Sequence, residues 1–376
     1  MLSGSATPAG TAGCMSRFTG SVSGDHFTQH GGLWLSSIGL GTYLGEPTEE
    51  DDAAYEAAIR AAVGSGCNVI DTAINYRFQR SERCIGKALG DLVAAGDLRR
   101  SEIVVATKGG FIPFDGGYPS DPGAWVVDNL VLPGVIEVDE IVAECHCMSP
   151  AYIDLQLETS LKNLSLERVD IYYLHNPETQ LAATGREEFL RRLTAAFTLL
   201  ERKAAAGKLT LYGTATWDGF RRAPGSPDHL ELAEILEAAE SAAEAAGSAR
   251  HHFGAIQLPL NLAMPEALIA PTQRIRGGGR RAPLLEAAHE AGLLVMGSAS
   301  ILQGHLPPRI PAEIAKRIPG GSSAVHKAIQ WARSAPGLCT ALVGMKSAEH
   351  ALENMALATD PRMSPDQHAA LISRRD

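Results

Sequence analysis

The sequence predicts a (β/α)8 barrel. From residue 33 onward, eight short apolar or β-branched segments alternate with eight amphipathic segments of helical period. The short segments read as apolar runs, which is typical of parallel strands that are buried on both faces. The rival fold is a doubly wound open sheet, which normally carries a glycine-rich turn after its first strand. The first strand here leads into "GLGTYLGEP", which lacks that glycine spacing, so the barrel is favoured.

The elements follow one another in strict alternation. In chain order the predicted strands are "WLSSIGLGT", "NVIDTA", "IVVATKG", "VDIYYLH", "KLTLYGTAT", "FGAIQLPL", "LLVMGSAS" and "TALVGM". The predicted helices are "EEDDAAYEAAIRAAVGSG", "SERCIGKALGDLVAAG", "SPAYIDLQLETSLKNLSL", "REEFLRRLTAAFTLLERKAAAGK", "DHLELAEILEAAESAAEAAG", "RAPLLEAAHEAG", "SSAVHKAIQWARSAP" and "SAEHALENMALAT". Several of these helices begin at a Ser or Asp cap and end at a Gly.

Three segments lie outside this alternation. We expect residues 1–30 to form a flexible leader and the start of an N-terminal hairpin, because Ser, Ala, Gly and Thr bury little apolar surface. The hairpin, "RFTGSVSGDHFTQHGGLWL", would cover one mouth of a single barrel domain spanning residues 31–376. A long loop, residues 110–148, follows the third strand. It is either a decorated surface loop or a pocket wall, and its departure from the carboxyl end of a barrel strand favours the wall.

The composition excludes several classes of protein. The chain has 45% hydrophobic and 20% charged residues, with 33 basic and 43 acidic side chains giving a net charge of -10. Nucleic-acid and anionic-membrane binders are usually basic, so neither partner is expected. Six scattered cysteines, together with the lack of a signal peptide or an apolar run of membrane-spanning length, predict a cytoplasmic protein with reduced thiols. The motif "ECHCM" lacks a second ligand pair, so we predict no metal site.

Ionisable side chains follow three consecutive predicted strands. Asp71 ends the second strand and Tyr76 lies in the loop after it, while Lys108 ends the third strand and His175 ends the fourth. Singly, each has an ordinary structural explanation as a helix cap, a packed ring, a rim cation or a hydrogen-bonded core histidine. In a barrel, however, the strand ends converge on one mouth. A buried lysine is costly unless it is paired, and Asp71 is the natural partner.

These four side chains predict a particular chemistry. A free tyrosine has a pKa near ~10, and a neighbouring ammonium stabilises the phenolate and lowers that pKa. With Asp71 holding Lys108 charged, Tyr76 becomes a proton donor to a substrate oxygen that His175 orients. Protonation of a carbonyl oxygen suits hydride delivery to the carbonyl carbon. Since none of the four side chains can supply hydride, a cofactor is expected.

The motifs in this order closely resemble those of the aldo-keto reductases. The resemblance rests on "IGLGTYLG", "DTA" with Tyr76 and "SE" after it, "TKGG", "YYLHNP", "YGTATW", "IQLPLNL", "VMGSASILQG" and "VGMKSAEHALEN", and covers roughly residues 30 to 357. It implies that Asp71, Tyr76, Lys108 and His175 form the catalytic tetrad of that family. It also implies an aldehyde or ketone substrate and an extended NADP(H) across the barrel mouth.

The resemblance assigns further positions to this cofactor. Near the nicotinamide it places Gly41, Thr42, Asp71, Thr216, Gln257 and Ser298, and near the adenosine and its 2′-phosphate Gly344, Lys346, Ser347, His350, Glu353 and Asn354. Ala215 and Thr216 replace the family's more frequent Ser-Asn pair, and Ser298 replaces a stacking aromatic residue. A lysine before a helix N-terminus is also a reasonable anion site on physical grounds.

Substrate contacts and the alternatives complete the sequence predictions. We expect the substrate to meet Tyr43, Phe78, Phe111 and Trp217, with Phe114 and Tyr118 as further candidates in the long loop. A cofactor-binding sensor or regulatory subunit on the same barrel is one alternative, and a Schiff-base aldolase using Lys108 is another. The sequence predicts neither the physiological carbonyl compound nor the oligomeric state.

Overall fold

Eight parallel strands close into a barrel in the computed structural model, which describes residues 1–372. The barrel strands are β3 (Ile38–Gly41), β4 (Val69–Asp71), β5 (Val104–Gly109), β6 (Val169–His175), β7 (Leu209–Ala215), β8 (Phe253–Pro259), β11 (Leu294–Ser298) and β12 (Thr340–Gly344). Outside the barrel, β1 (Phe27–His30) pairs with β2 (Leu33–Ser36), and β9 (Gln273–Arg274) pairs with β10 (Arg281–Ala282). The predicted barrel is therefore confirmed.

The helices surround the barrel in the predicted order. They are α1 (Pro8–Arg17), α2 (Glu49–Gly64), α3 (Arg80–Ala95), α4 (Pro122–Val126), α5 (Pro150–Leu164), α6 (Glu178–Thr184), α7 (Arg186–Ala205), α8 (Leu232–Ala246), α9 (Glu266–Ile269), α10 (Leu284–Glu290), α11 (Ala312–Arg317), α12 (Ala324–Arg333), α13 (Ala348–Ala356) and α14 (Pro365–Ile372). In the described part of the chain, no helix combines the length and apolarity needed to cross a membrane.

The strands are mostly apolar because both of their faces are buried. Val69 and Val104 belong to the cluster of side chains inside the barrel, whereas their neighbours Ile70 and Val105 pack in the layer between strands and helices. This alternation follows from the two-residue period of a strand. It explains why eight runs without polar alternation are the main sequence signal of the fold.

The N-terminal segment closes the mouth opposite to the candidate site. The hairpin β1–β2 is present as predicted, and the Ser36 backbone N–H donates to Asn68 Oδ1 at 2.8 Å, just before β4 begins. The expected flexible leader is wrong for residues 8–17, which form α1. Thr7 caps this helix, and the Ala6 N–H donates to Asp170 Oδ1 at 2.6 Å near the start of β6. Specific hydrogen bonds thus order a segment whose composition offers little apolar burial.

The long loop, residues 110–148, has structure of its own. It contains α4 and short helical turns at Val127–Val131 and Val138–Glu140. Leu130, Ile136 and Cys147 form a small apolar cluster with Tyr152 of α5. The loop therefore packs on the barrel as a folded insertion, and its role as a pocket wall depends on which of its side chains reach the cavity.

Candidate active site

A cavity of about 420 Å³ opens at the carboxyl ends of the barrel strands. Asp71, Tyr76 and His175 line it, and Lys108 lies directly beneath them, buried at the end of β5. The four side chains come from neighbouring strands, because β4 pairs with β5 and β5 with β6. The fold therefore brings these four residues together, as their positions at the strand ends predict.

The Lys108 ammonium makes three contacts in this cluster. Its Nζ donates to Asp71 Oδ2 at 2.7 Å, to the Thr72 carbonyl at 2.8 Å and to Tyr76 Oη at 3.3 Å. Gln257 Nε2 donates to the other oxygen of the Asp71 carboxylate at 2.7 Å. Both charges of the pair are nearly inaccessible, with side-chain exposures of 1% and 6%. A buried ion pair is tolerated only with such complete hydrogen bonding.

Burial and the mutual charges together set the protonation of these groups. Burial opposes the charge on Lys108, but Asp71 and Tyr76 outweigh it and raise the lysine pKa. Burial also raises the pKa of Asp71, against the opposing effect of the Lys108 ammonium. The expectation that Lys108 lowers the Tyr76 pKa below that of a free tyrosine is wrong for this structure: burial raises it, and Lys108 only reduces the rise. Tyr76 is therefore a protonated phenol beside a cation.

His175 stands beside Tyr76 as a neutral imidazole. Its ring centroid lies 5.9 Å from that of Tyr76 in an edge-to-face arrangement. Burial, together with the Lys108 cation and His146, holds the pKa of His175 well below its usual value. Its Nδ1 atom is buried with no hydrogen-bond partner among the described residues. A neutral imidazole next to the phenol can orient a substrate oxygen without adding a second cation.

Ser81 and Glu82, the "SE" at the start of α3, brace the site rather than cap the helix. The N-cap residue of α3 is Gln79, and it makes no side-chain capping bond. Ser81 Oγ instead donates to the Thr42 carbonyl at 2.8 Å, and the Glu82 carboxylate accepts from Thr107 Oγ1 at 2.6 Å. Through these two hydrogen bonds, Ser81 and Glu82 connect α3 to the ends of two barrel strands.

The residues assigned to the nicotinamide end lie around the cavity. Gly41, Thr42, Asp71, Thr216, Gln257 and Ser298 all line it, and Gly344 of the adenosine end lines it as well. The Thr216 hydroxyl is buried without a partner among the described residues, so it is free to bind a polar ligand group. Gln257 Nε2 is already engaged with Asp71. The donor set fits an amide-bearing ring, with Thr216 as the unoccupied contact.

Apart from Gly344, the residues assigned to the adenosine end lie outside the cavity lining, at or near the start of α13. Lys346 pairs with Asp51 at 3.2 Å, and Ser347 caps α13 by accepting from the His350 N–H. His350 and Glu353 are exposed, and Asn354 is buried. The Lys346 ammonium has three N–H donors and its side chain is 44% exposed, so it can bind a phosphate while it contacts Asp51.

Three of the predicted substrate contacts reach the cavity. Tyr43, Phe111 and Trp217 line it, and the Tyr43 ring lies 5.0 Å from that of Tyr76. Phe78 is absent from the lining and packs edge-on against Tyr118, so its assignment as a substrate contact is not supported. Phe114 and Tyr118 belong to the same aromatic cluster outside the cavity. The long loop therefore contributes a wall through Phe111 alone among these aromatic residues.

Other lining residues were not anticipated from the sequence. They are Leu44, Asn75, Asn176, Ala299, Ser300, Ile301, Gln303 and Leu342. Asn176 and Gln303 have left-handed backbones, with φ of 47° and 55°. Asn176 lies in the quoted motif "YYLHNP", and Ala299, Ser300, Ile301 and Gln303 lie in "VMGSASILQG", so these motifs are the signal that could have found them.

Glu178 was also missed as a residue that shapes the site. Its Oε1 accepts from the backbone N–H groups of Trp217, Asp218 and Gly219 at 2.7, 3.1 and 3.3 Å. Burial raises the pKa of this carboxyl despite these donors. The contacts hold the loop that carries Thr216 and Trp217 into the cavity.

Solved structures share this architecture over nearly their whole length. A glycerol dehydrogenase from Gluconobacter oxydans is 18% identical, with 93% of this chain and 95% of that chain covered and a TM-score of 0.62. An aldo/keto reductase from Klebsiella pneumoniae, described in complex with NADP and acetate, is 20% identical, with 93% and 94% covered and a TM-score of 0.59. An aldo-keto reductase from Bacillus halodurans, in a holo form, is 18% identical, with 92% and 95% covered and a TM-score of 0.61. At these identities the likeness shows the fold.

Curated relatives match a part of the chain. A probable voltage-gated potassium channel subunit beta of Oryza sativa subsp. japonica is 28% identical over 162 residues, 43% of this chain and 39% of that protein. A protein of the same description from Arabidopsis thaliana is 26% identical over 203 residues, 54% and 49% of the two chains. The matches thus span less than half of either relative's length.

The family match falls on the segment that carries the four clustered side chains. The family model described as "Aldo/keto reductase family" matches residues 37–223, from β3 to the loop after β7. This segment contains Asp71, Tyr76, Lys108 and His175 in the order in which the resemblance places them. Over this segment, about half of its length, the chain matches the aldo/keto reductase family.

Proposed function

We propose that this protein is an NADP(H)-dependent oxidoreductase that reduces an aldehyde or ketone, reversibly, with Tyr76 as the general acid. The observation that carries the proposal is the placement of one buried ammonium, Lys108 Nζ, 2.7 Å from the Asp71 carboxylate and 3.3 Å from the Tyr76 hydroxyl. The family match supports the class of reaction. The identity of the carbonyl compound is left open.

Each side chain has a distinct part in proton transfer. Tyr76 is protonated at neutral pH, because burial raises its pKa, and it donates this proton to the substrate oxygen. The developing phenolate is stabilised by Lys108, which Asp71 holds in its charged form. Neutral His175 donates a hydrogen bond from its ring N–H to the carbonyl oxygen of the substrate and so fixes its position.

The cofactor assignment rests on the family and on the fit of the cavity. Two of the similar Klebsiella pneumoniae structures are described with NADP or NADPH bound. When bound, NADPH supplies hydride to the carbonyl carbon. Thr216, with its unpartnered hydroxyl, and Gly41, Thr42 and Ser298 around it would hold the nicotinamide end. Lys346 and Ser347, with His350, Glu353 and Asn354, would hold the adenosine end.

The test is steady-state NADPH consumption with a panel of aldehydes and ketones. Tyr76→Phe should lower turnover by at least about 100-fold, the size of a general-acid contribution, with NADPH binding retained. Tyr118→Phe is the matched control, because that phenol is 71% exposed and outside the cavity lining. Turnover that survives Tyr76→Phe at the wild-type rate would contradict the role of Tyr76.

A cofactor-binding regulatory subunit is the second candidate function. The observation that favours it is the partial match to two proteins described as probable potassium channel beta subunits. Tight NADPH binding without turnover of any carbonyl in the panel would support this function over the first.

A Schiff-base aldolase is disfavoured, because the raised pKa of Lys108 keeps its amine protonated and a poor nucleophile. Borohydride trapping of a substrate on Lys108 would support the aldolase instead.

A further inference from the structure

His146, the histidine of "ECHCM", lies at the neck of the long loop. The two ends of the loop pair at this point: the Ile112 N–H donates to the Cys145 carbonyl at 2.8 Å, and the Cys147 N–H donates to the Gly110 carbonyl at 2.9 Å. His146 and Phe111 face each other in a short antiparallel bridge. The side chain of His146 is 1% exposed, so it is fixed between the loop and the barrel.

The hydrogen bonds of His146 define the position of its proton. Gln180 Nε2 lies 3.2 Å from His146 Nδ1 and also donates to the His146 carbonyl at 3.1 Å. Arg192 donates to Gln180 Oε1 at 3.0 Å, which fixes the orientation of that amide. An amide nitrogen only donates, so Nδ1 accepts and Nε2 carries the proton. His146 Nε2 then donates to the backbone carbonyl of His175 at 2.7 Å.

The contact between His146 and His175 is tightly packed against Gly110. A Cβ on Gly110 would lie 2.8 Å from His146 Nε2 and 3.2 Å from the His175 carbonyl oxygen, and Gly110 has a φ of 135°. The Phe111 ring is edge-on to both histidines, with centroids 5.1 Å from His146 and 5.0 Å from His175. The same contact therefore sets the end of β6 and the Phe111 wall of the cavity.

The backbone after His175 depends on this support. Asn176 has a left-handed backbone with a φ of 47°, which is strained for a residue other than glycine. Its N–H donates to the Ala215 carbonyl at 2.6 Å, while His146 holds the carbonyl of the same peptide group on the other side. Both polar atoms of the peptide bond that follows His175 are thus fixed by residues outside β6.

We propose that His146 is a positioning residue for His175: through the hydrogen bond from Nε2 to the His175 carbonyl, it fixes the imidazole beside Tyr76 and couples the long loop to the reaction. The proposal rests on the carbonyl reduction proposed above. Its basis is geometric, in that one buried side chain bridges the loop neck and the backbone of His175.

The test compares three variants of the full-length protein. His146→Leu removes the donor, and His146→Gln restores an N–H at the reach of Nε2. Cys145→Ala is the control, since Cys145 joins the neck only through its backbone carbonyl among the bonds described above. With NADPH and a carbonyl substrate, His146→Leu should lower kcat by about 10-fold and increase the kinetic isotope effect of [4-²H]NADPH on kcat, because misplacement slows the chemical step. Cofactor KM should stay unchanged.

His146→Gln should recover most of the lost kcat, and Cys145→Ala should match the wild type. Equal kcat and isotope effect in His146→Leu and the wild type would overturn the proposal, as would a loss that Gln does not recover at all. The NMR signals of the labelled His175 ring give a readout without turnover. They should shift in His146→Leu and return in His146→Gln, and unchanged signals would overturn the proposal even if the wild type reduces no carbonyl. Absence of turnover in the wild type refutes the proposed function instead.

Discussion

Replacement of Asp71 by Asn tests the buried ion pair directly. Among the described residues, it removes the one negative charge that Lys108 contacts, because the amide is neutral, while the ammonium keeps the Thr72 carbonyl at 2.8 Å and the Tyr76 hydroxyl at 3.3 Å. Leaving a buried charge unpaired costs about 3–5 kcal/mol. The other response, loss of the proton from Lys108, requires its pKa to fall from about 10.4 to about 7, which costs about 5 kcal/mol at 1.36 kcal/mol per pH unit. Both routes predict a loss of about 3–5 kcal/mol from the free energy of unfolding near neutral pH.

The pH dependence separates this effect from a packing defect. In the wild type the folded pKa of Lys108 is raised, so its stabilising contribution is complete below the unfolded pKa and is lost only as the pH rises through the folded pKa. In Asp71→Asn the folded pKa lies below the unfolded one. Between the two values the unfolded chain binds more protons, so stability rises with pH. The difference in stability between the two proteins should therefore shrink by at least about 2 kcal/mol from pH ~7 to pH ~9.5.

Urea unfolding followed by tryptophan fluorescence measures both quantities. Asp91→Asn serves as the control, because it breaks an ion pair with Arg60 in which the two side chains are 53% and 40% exposed, and it should cost less than about 1 kcal/mol. The reasoning about the buried pair is refuted if Asp71→Asn is within about 1 kcal/mol of the wild type at pH ~7. A large loss that stays constant with pH would show that packing, and not the Lys108 charge, is responsible.

Two further variants probe the cavity wall. Thr216→Val removes a buried hydroxyl without a described partner, so the free protein should be equally stable or more stable by up to about 1 kcal/mol. In a fluorescence titration the same variant should bind NADPH about 3- to 10-fold more weakly. A clear loss of stability would reveal a partner for the hydroxyl. Glu178→Ala removes the acceptor of three backbone N–H groups and should lower the free energy of unfolding in urea by about 2–4 kcal/mol. Because the Trp217 loop is released, the variant should raise the KM for the carbonyl substrate more than it lowers kcat. An unchanged KM would show that Glu178 does not position that loop.

The fold was readable from the sequence because its signals are local. Strands such as β5 and β6 are buried on both faces and appear as largely apolar runs, and amphipathic helices of clear period separate them. The leader was misread for the complementary reason. Its helix α1 is held by contacts with residues distant in the chain, such as the bond from the Ala6 N–H to Asp170. Composition carries no trace of such long-range partners.

The same distinction between local signals and long-range contacts applies to the candidate site. By itself the sequence determined which side chains end the barrel strands, and strand order then required Asp71, Lys108 and His175 to meet near Tyr76. Only the tertiary structure decided how burial shifts the protonation of these groups, and the Tyr76 pKa was misjudged because desolvation depends on every atom packed around the phenol. The tertiary structure also decided that His146 meets the His175 carbonyl and that Phe78 faces away from the cavity. Strand ends are set by local pattern, whereas solvation and loop contacts are set by distant parts of the chain that close around the site.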